Sequence, residues 1–132
     1  MTPRVPISCG ELIDKIIILE IKAERLRAPA ALANVAHEMG LLRCVLAELA
    51  ETPPGLAVLH GELAAVNRRL WDIEDDIRRK EASAVFDAGF IELARAVYRG
   101  NDERSRIKRA INELMGSDII EEKQYVDYRG TE

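Results

Sequence analysis

Cysteine, aromatic residues and long apolar runs are all scarce in this sequence, and each scarcity closes a class of answers. Two cysteines, Cys9 and Cys44, are too few for a disulfide framework or a complete zinc site, and they suit a reducing compartment. Aromatics make up 5% of the residues, against the Tyr, Phe and Thr wealth of a sheet protein. The opening stretch, Met1 to Ile7, has no apolar run of the signal-peptide kind, and no segment is expected to reach the roughly 20 apolar residues of a membrane span. Charge of one sign is also missing. The 19 basic and 23 acidic residues interleave to a formal net charge of −4, so no stretch offers the phosphate-binding field a nucleic-acid partner needs. The expectation is a cytoplasmic protein with no nucleic-acid or membrane partner.

What remains is helix-forming material. The 132 residues suit one domain, 1–132, able to bury roughly two thirds of the surface its unfolded chain exposes. From Leu56 to Ile77 the apolar residues Leu56, Leu59, Leu63, Val66, Leu70, Ile73 and Ile77 recur at steps of three and four, the period of a helix burying one face. A second row, Asn67, Trp71, Glu74 and Arg78, follows four-three-four spacing beside that stripe, so a polar and aromatic seam is expected along the edge of the core.

The other segments read as three more helices. Residues 1–7, with two prolines, form an extended arm; Ser8 and Glu11 then have the spacing of a capping box opening helix one. That helix carries two apolar stripes. Leu12, Ile16, Leu19, Ala23 and Leu26 form one, Ile13, Ile17 and Ile21 the other, with Glu20 and Glu24 between them. A helix apolar on two faces must be covered on both, either centrally in its own bundle or by a second subunit. Glu20, walled by isoleucines, pairs with an arginine of another helix or marks a functional site. Ala28-Pro29 ends helix one, and helix two follows as an antiparallel hairpin partner on Leu32, Val35, Met39, Leu42, Leu46 and Leu49. His37-Glu38 has no second histidine four residues on, so a metal is discounted. Gly40 hints at a close helix approach and Cys44 reads as core edge. Thr52, ahead of Pro53, is the expected cap of helix three, which runs to about Lys80.

Glu81 to Gly89 is expected as a loop with Phe86 tucked inward. Helix four, from about Asp87, changes apolar phase between Phe90-Ile91-Ala94-Val97-Tyr98 and Ile107-Ile111-Leu114, which predicts a kink or break at Gly100 with Asn101 capping the second half. Gly116 stops it, and 117–132 is a polar tail. The fold expected is therefore all-α, an antiparallel bundle of four long helices with the fourth kinked or broken near Gly100.

An antiparallel bundle could bring Glu74, Asp75 and Arg78 against Arg104, Lys108 and Asn112. Read structurally, these charges fix helix register; read functionally, they line a pocket in which Glu20, Asn67, Trp71, Glu74, Arg78, Arg104, Lys108 and Asn112 hold a phosphate or carboxylate. The structural reading is preferred, because perturbed charges in bundles often belong to networks.

The run Ser8-Cys9-Gly10-Glu11-Leu12-Ile13-Asp14-Lys15, continuing through Ile18-Leu19-Glu20-Ile21-Lys22 to Glu24-Arg25, resembles the opening signature of a family of small bacterial proteins of unknown function. Asn67 to Arg78, with the pattern Asn-x-x-Leu-Trp-x-x-Glu-Asp-x-x-Arg, and Asn101-Asp102 through Arg104, Lys108 and Asn112 to Glu121-Glu122-Lys123 are similar to later blocks of that family. A second uncharacterised helical family resembles only the Asn-x-x-Leu-Trp-x-x-Glu-Asp portion. Where the family usually has proline after the first serine this chain has Cys9, which argues against a nucleophilic cysteine. The resemblance implies a bacterial origin and a helical fold and brings no activity.

Three functions stay open, and with them whether the chain is an enzyme. The first is a non-catalytic module that forms a homodimer or docks on a partner protein through the second isoleucine stripe of helix one. The second is a small-molecule binder or enzyme using the seam on a nucleotide or sugar nucleotide, with no cofactor expected. Glu11-x-x-Asp14 and Asp72-x-x-Asp75 only partly echo the carboxylate pairs a magnesium pyrophosphatase needs. A mutase gripping a dicarboxylate ranks last, because Lys22 and Arg25 fall outside the core stripe.

Overall fold

The computed structural model describes residues 1–49 and 51–130. Four helices follow one another, α1 (Cys9–Arg25), α2 (Pro29–Ala47), α3 (Leu56–Ala82) and α4 (Ala88–Met115), and there is no strand among the described residues. The three-and-four spacing of the apolar residues thus produces the all-α fold it implies.

Helix α1 is the hub, packing against all three other helices. Both of its stripes are buried within the chain: Leu12, Ile16 and Leu19 on one side, Ile13, Ile17 and Ile21 on the other. The second set joins Leu63, Val66, Ile107 and Ile111 of α3 and α4 in the core. This corrects the expected docking through helix one. The isoleucine stripe is covered by the protein's own helices and is not free to meet a partner. The pairs Gly10–Asn112, Glu11–Lys108 and Asp14–Arg104 step up α1 and down α4, so these two helices run in opposite senses.

Helix α2 is placed differently. It packs on α1 but on neither α3 nor α4, and Val35 is its one buried residue. Leu32, Met39, Leu42 and Leu46 are half-covered, whereas Leu41, Cys44 and Val45 on the other side are exposed. By length and composition alone this 19-residue helix passes for a membrane span, a test that core helices of globular proteins also pass. The expected core-edge Cys44 is also corrected, since its side of α2 faces outward. Gly40 marks no close approach: a Cβ added there would meet nothing within 4 Å. Gly40→Ala should therefore stabilise the chain by up to about 1 kcal/mol, the helix-propensity difference, read as a raised urea midpoint at unchanged slope.

Several local expectations at helix ends change. Ser8 caps α1, its Oγ accepting from the Glu11 N–H at 3.1 Å. Pro29 takes the first turn of α2, where its missing N–H costs nothing. Thr52 does not cap α3; the cap is Gly55, at φ 92°, because Pro53 to Gly55 form a separate turn first. Phe86 is 57% exposed rather than tucked in, and packs edge-on against Phe90 at 5.2 Å between ring centroids. Asp87 caps α4 by accepting from the Phe90 N–H, and Gly116 ends it in the left-handed conformation.

No break interrupts α4, and Asn101 lies inside it instead of capping a second half. The glycine at the phase change has another purpose. Gly100 is buried, and a Cβ there would sit 2.6 Å from Cδ2 of Leu70, so the residue lets α4 lie close on α3. The change of apolar phase follows from α4 packing on both α3 and α1.

Candidate functional site

The strongest polar feature is built on Asp14 of α1, whose side chain is 1% exposed. Its Oδ1 accepts from Asn67 Nδ2 of α3 at 2.9 Å and from Arg104 Nε of α4 at 3.0 Å. Its Oδ2 accepts from Arg104 Nη2, with Lys108 Nζ 3.7 Å away. Three helices therefore meet on one carboxylate. Burial pushes the Asp14 carboxyl up, but the hydrogen bonds from Arg104 and Asn67 and the charges of Arg104 and Lys108 outweigh it and hold the group below the usual carboxylate range. The same carboxylate raises the Arg104 guanidinium, through its hydrogen bonds and then its charge, against the opposing effect of burial.

The network continues toward the start of α1. Lys108 donates to Glu11 Oε2 at 2.5 Å and lies 3.6 Å from Glu121 of the tail. The Glu11 carboxylate therefore serves Lys108 and, at 3.7 Å, Lys15, instead of folding back onto its own helix start. Asn112 Oδ1 accepts the buried Gly10 N–H at 2.6 Å, and Ser117 Oγ accepts the Cys9 N–H at 3.3 Å. No buried side-chain nitrogen or oxygen among the described residues lacks a partner.

Such an Asp14 is a poor general base. Its oxygens already accept three hydrogen bonds and its carboxyl is held ionised away from water, an arrangement suited to keying the register of three helices. Among the described residues no group of three His, Cys, Asp or Glu is placed to hold a metal.

The structure divides the eight seam candidates into four sets. Asn67, Arg104, Lys108 and Asn112 belong to the Asp14 network or its extension. Glu74 and Arg78 pair with each other one turn apart at 3.4 Å on the exposed side of α3, and do not meet Arg104 or Lys108 as the complementary-charge reading expected. Glu20 pairs with Arg43 of α2 at 3.2 Å, the ordinary interhelical outcome. Trp71 packs on the edge of the core, half-buried. The partner of the α4 cations is thus α1, not α3. Gly10, Glu11 and Asp14, the residues missed as site members, did carry a signal: Gly10, Asp14, Ile17 and Ile21 recur at four-three-four spacing, which puts a carboxylate in phase with a buried stripe.

Two grooves flank this network. One, of about 540 Å³, lies between α1, α3 and α4; Asn67, Trp71, Glu74, Arg78 and Arg104 line it together with Asn101. The other, of about 740 Å³, runs between α4 and the tail and takes in Lys108, Asn112 and Tyr125. The tail is laid along α4: Tyr128 donates to Asp102 at 2.5 Å and packs edge-on to Tyr98, while Glu122 pairs with Arg109 at 3.1 Å. The last two positions of the expected tail, 131 and 132, lie outside the described residues.

Residues 3–131 match the model of a family of unknown function, DUF6165. No curated protein and no solved structure matches the chain.

Proposed function

We propose, from the premise that the chain belongs to the DUF6165 family of unknown function and takes no activity from it, that this protein is a non-catalytic helical module pairing with a second copy of itself through the outer face of α2. One observation carries the reading. A helix that is apolar nearly all round is ordinarily buried, yet α2 touches only α1 and leaves Leu41 and Val45 each 45% exposed. Ala33, Cys44 and Ala47 are exposed on the side that carries Cys44, and small side chains there let a second helix approach closely. A two-fold dimer needs one self-complementary patch, and a helix face of this kind supplies it. The Asp14 network supports the role by fixing α1, and with it α2, on the α3–α4 pair.

Light scattering at tens of micromolar should give the mass of two chains. The double variant Leu41→Glu with Val45→Glu should give the mass of one, with unchanged helical circular dichroism. A wild-type monomer, or a double variant that still pairs, would overturn the assignment. Flotation of a monomeric wild type with neutral phosphatidylcholine vesicles would give the same face to lipid.

A further inference from the structure

The groove between α1, α3 and α4 has a composition that selects among ligands. Its floor is apolar, with Ile18 and Leu70 beside the half-buried indole of Trp71. Its rim holds two guanidiniums, Arg78 and Arg104, two carboxylates, Glu74 and Asp75, and the Asn101 amide. The guanidiniums and carboxylates cancel in charge.

Arg104 is the best-positioned of these groups. Asp14 takes two of its five N–H bonds, from Nε and Nη2, and holds the guanidinium plane; Nη1 has no protein partner among the described residues. Asp75 likewise has no cation paired with it among the described residues. The rim therefore offers unused donors and unused acceptors side by side.

A phosphate would meet Arg104 and Arg78 but also two carboxylates, and like charges a few ångströms apart repel by about 1–4 kcal/mol near a surface. A hydroxyl both donates and accepts, so a set of hydroxyls can use both kinds of rim group at once. The indole needs a flat apolar face to cover it. A pyranose ring has that combination, a C–H face on one side and hydroxyls around its edge. The volume of about 540 Å³ falls in the usual range for small-ligand sites. We infer that this groove binds a neutral pyranose sugar, through Trp71 against the ring and Glu74, Asp75, Asn101 and Arg104 on its hydroxyls.

Trp71 is the chain's single tryptophan, so its emission reports directly on the groove. The full chain is titrated with glucose, galactose, mannose and N-acetylglucosamine into the millimolar range, with inorganic phosphate and adenosine monophosphate as anionic arms. At least one sugar should give a saturable change in emission. Glu74→Gln combined with Asp75→Asn should weaken that sugar about tenfold or more, the loss expected when hydrogen bonds to charged groups are removed. Both side chains lie on the exposed edge of α3, so circular dichroism should be unchanged. Arg104 is left intact because its loss also strips Asp14 of a partner. No saturable change with any of the four sugars, an unweakened double variant, or tighter binding of either anion would overturn the inference.

Discussion

Replacing Asp14 by alanine should cost about 3–5 kcal/mol, because it leaves a buried cation network without its anion. The reason lies in the arithmetic of partners. Asn67, Arg104 and Lys108 all converge on one carboxylate, and Lys108 is itself 8% exposed, so water cannot readily take the place of Asp14. In urea the midpoint should fall with little change in slope, and on heating the transition should drop by roughly 10–20 °C for a chain of this size. Arg104→Ala should cost less than Asp14→Ala, because Asn67 and Lys108 still face the carboxylate. The double variant should cost less than the sum of the two, by about 0.5–3 kcal/mol of coupling. An Asp14→Ala protein within 1 kcal/mol of wild type would mean that this cluster does not hold the helices together.

The same carboxylate sets an acid limit. Its pKa is lowered in the folded chain relative to about 3.9 for a free aspartate, so the unfolded chain binds the extra proton first. Its contribution is therefore complete above roughly pH 5 and is lost as pH falls through 4 toward the lower folded value. Urea midpoints measured from neutral pH downward should fall more steeply for wild type than for Asp14→Asn across that window. Equal slopes would show that another carboxylate dominates the acid response.

Periodicity alone makes the helices and the core visible in the sequence. Leu63, Val66, Ile107 and Ile111 were in phase and are all buried. The double stripe of α1 correctly required burial on two faces, but spacing cannot say whether the cover comes from the same chain, and here α2, α3 and α4 together provide it. Asn67 and Arg104 were legible as a polar margin, and the spacing of Asp14 put it in phase with a buried stripe, but their pairing was not legible, because a hydrogen bond between positions 53 and 90 residues apart leaves no trace in local spacing. Glycine misled twice in opposite ways. Gly40 suggested a contact where α2 has no neighbour in its own chain, and Gly100 suggested a kink or break where the helical assignment of α4 continues without interruption, close against Leu70. A glycine marks a need for room or for unusual backbone, and only the neighbouring element tells which.

Gly10 is the position where that need is greatest, and Gly10→Ala should destabilise the protein by about 2–4 kcal/mol. A Cβ at residue 10 would lie 2.5 Å from the Lys108 carbonyl oxygen, 3.1 Å from its carbonyl carbon and 2.9 Å from Asn112 Oδ1. The first two are backbone of α4, so relief requires moving one helix off another; overpacking of that kind costs about 1–3 kcal/mol and occasionally more. Movement would also stretch the 2.6 Å bond from the Gly10 N–H to Asn112, worth about 1 kcal/mol, and this exceeds what alanine gains in helix propensity near a first turn. Gly100→Ala is the control. Its close neighbours are side-chain atoms of Leu70, which can rotate away, so the cost there should stay under about 1 kcal/mol once the propensity gain is counted. Because Gly10 and Asp14 both hold α1 on α4, Gly10→Ala should also lose part of its effect in an Asp14→Ala background. Urea titrations of the two glycine variants and the double variant would test this. Equal losses at Gly10 and Gly100, or strict additivity with Asp14, would mean that the α1–α4 contact is not the close backbone approach on which the Asp14–Arg104 geometry depends.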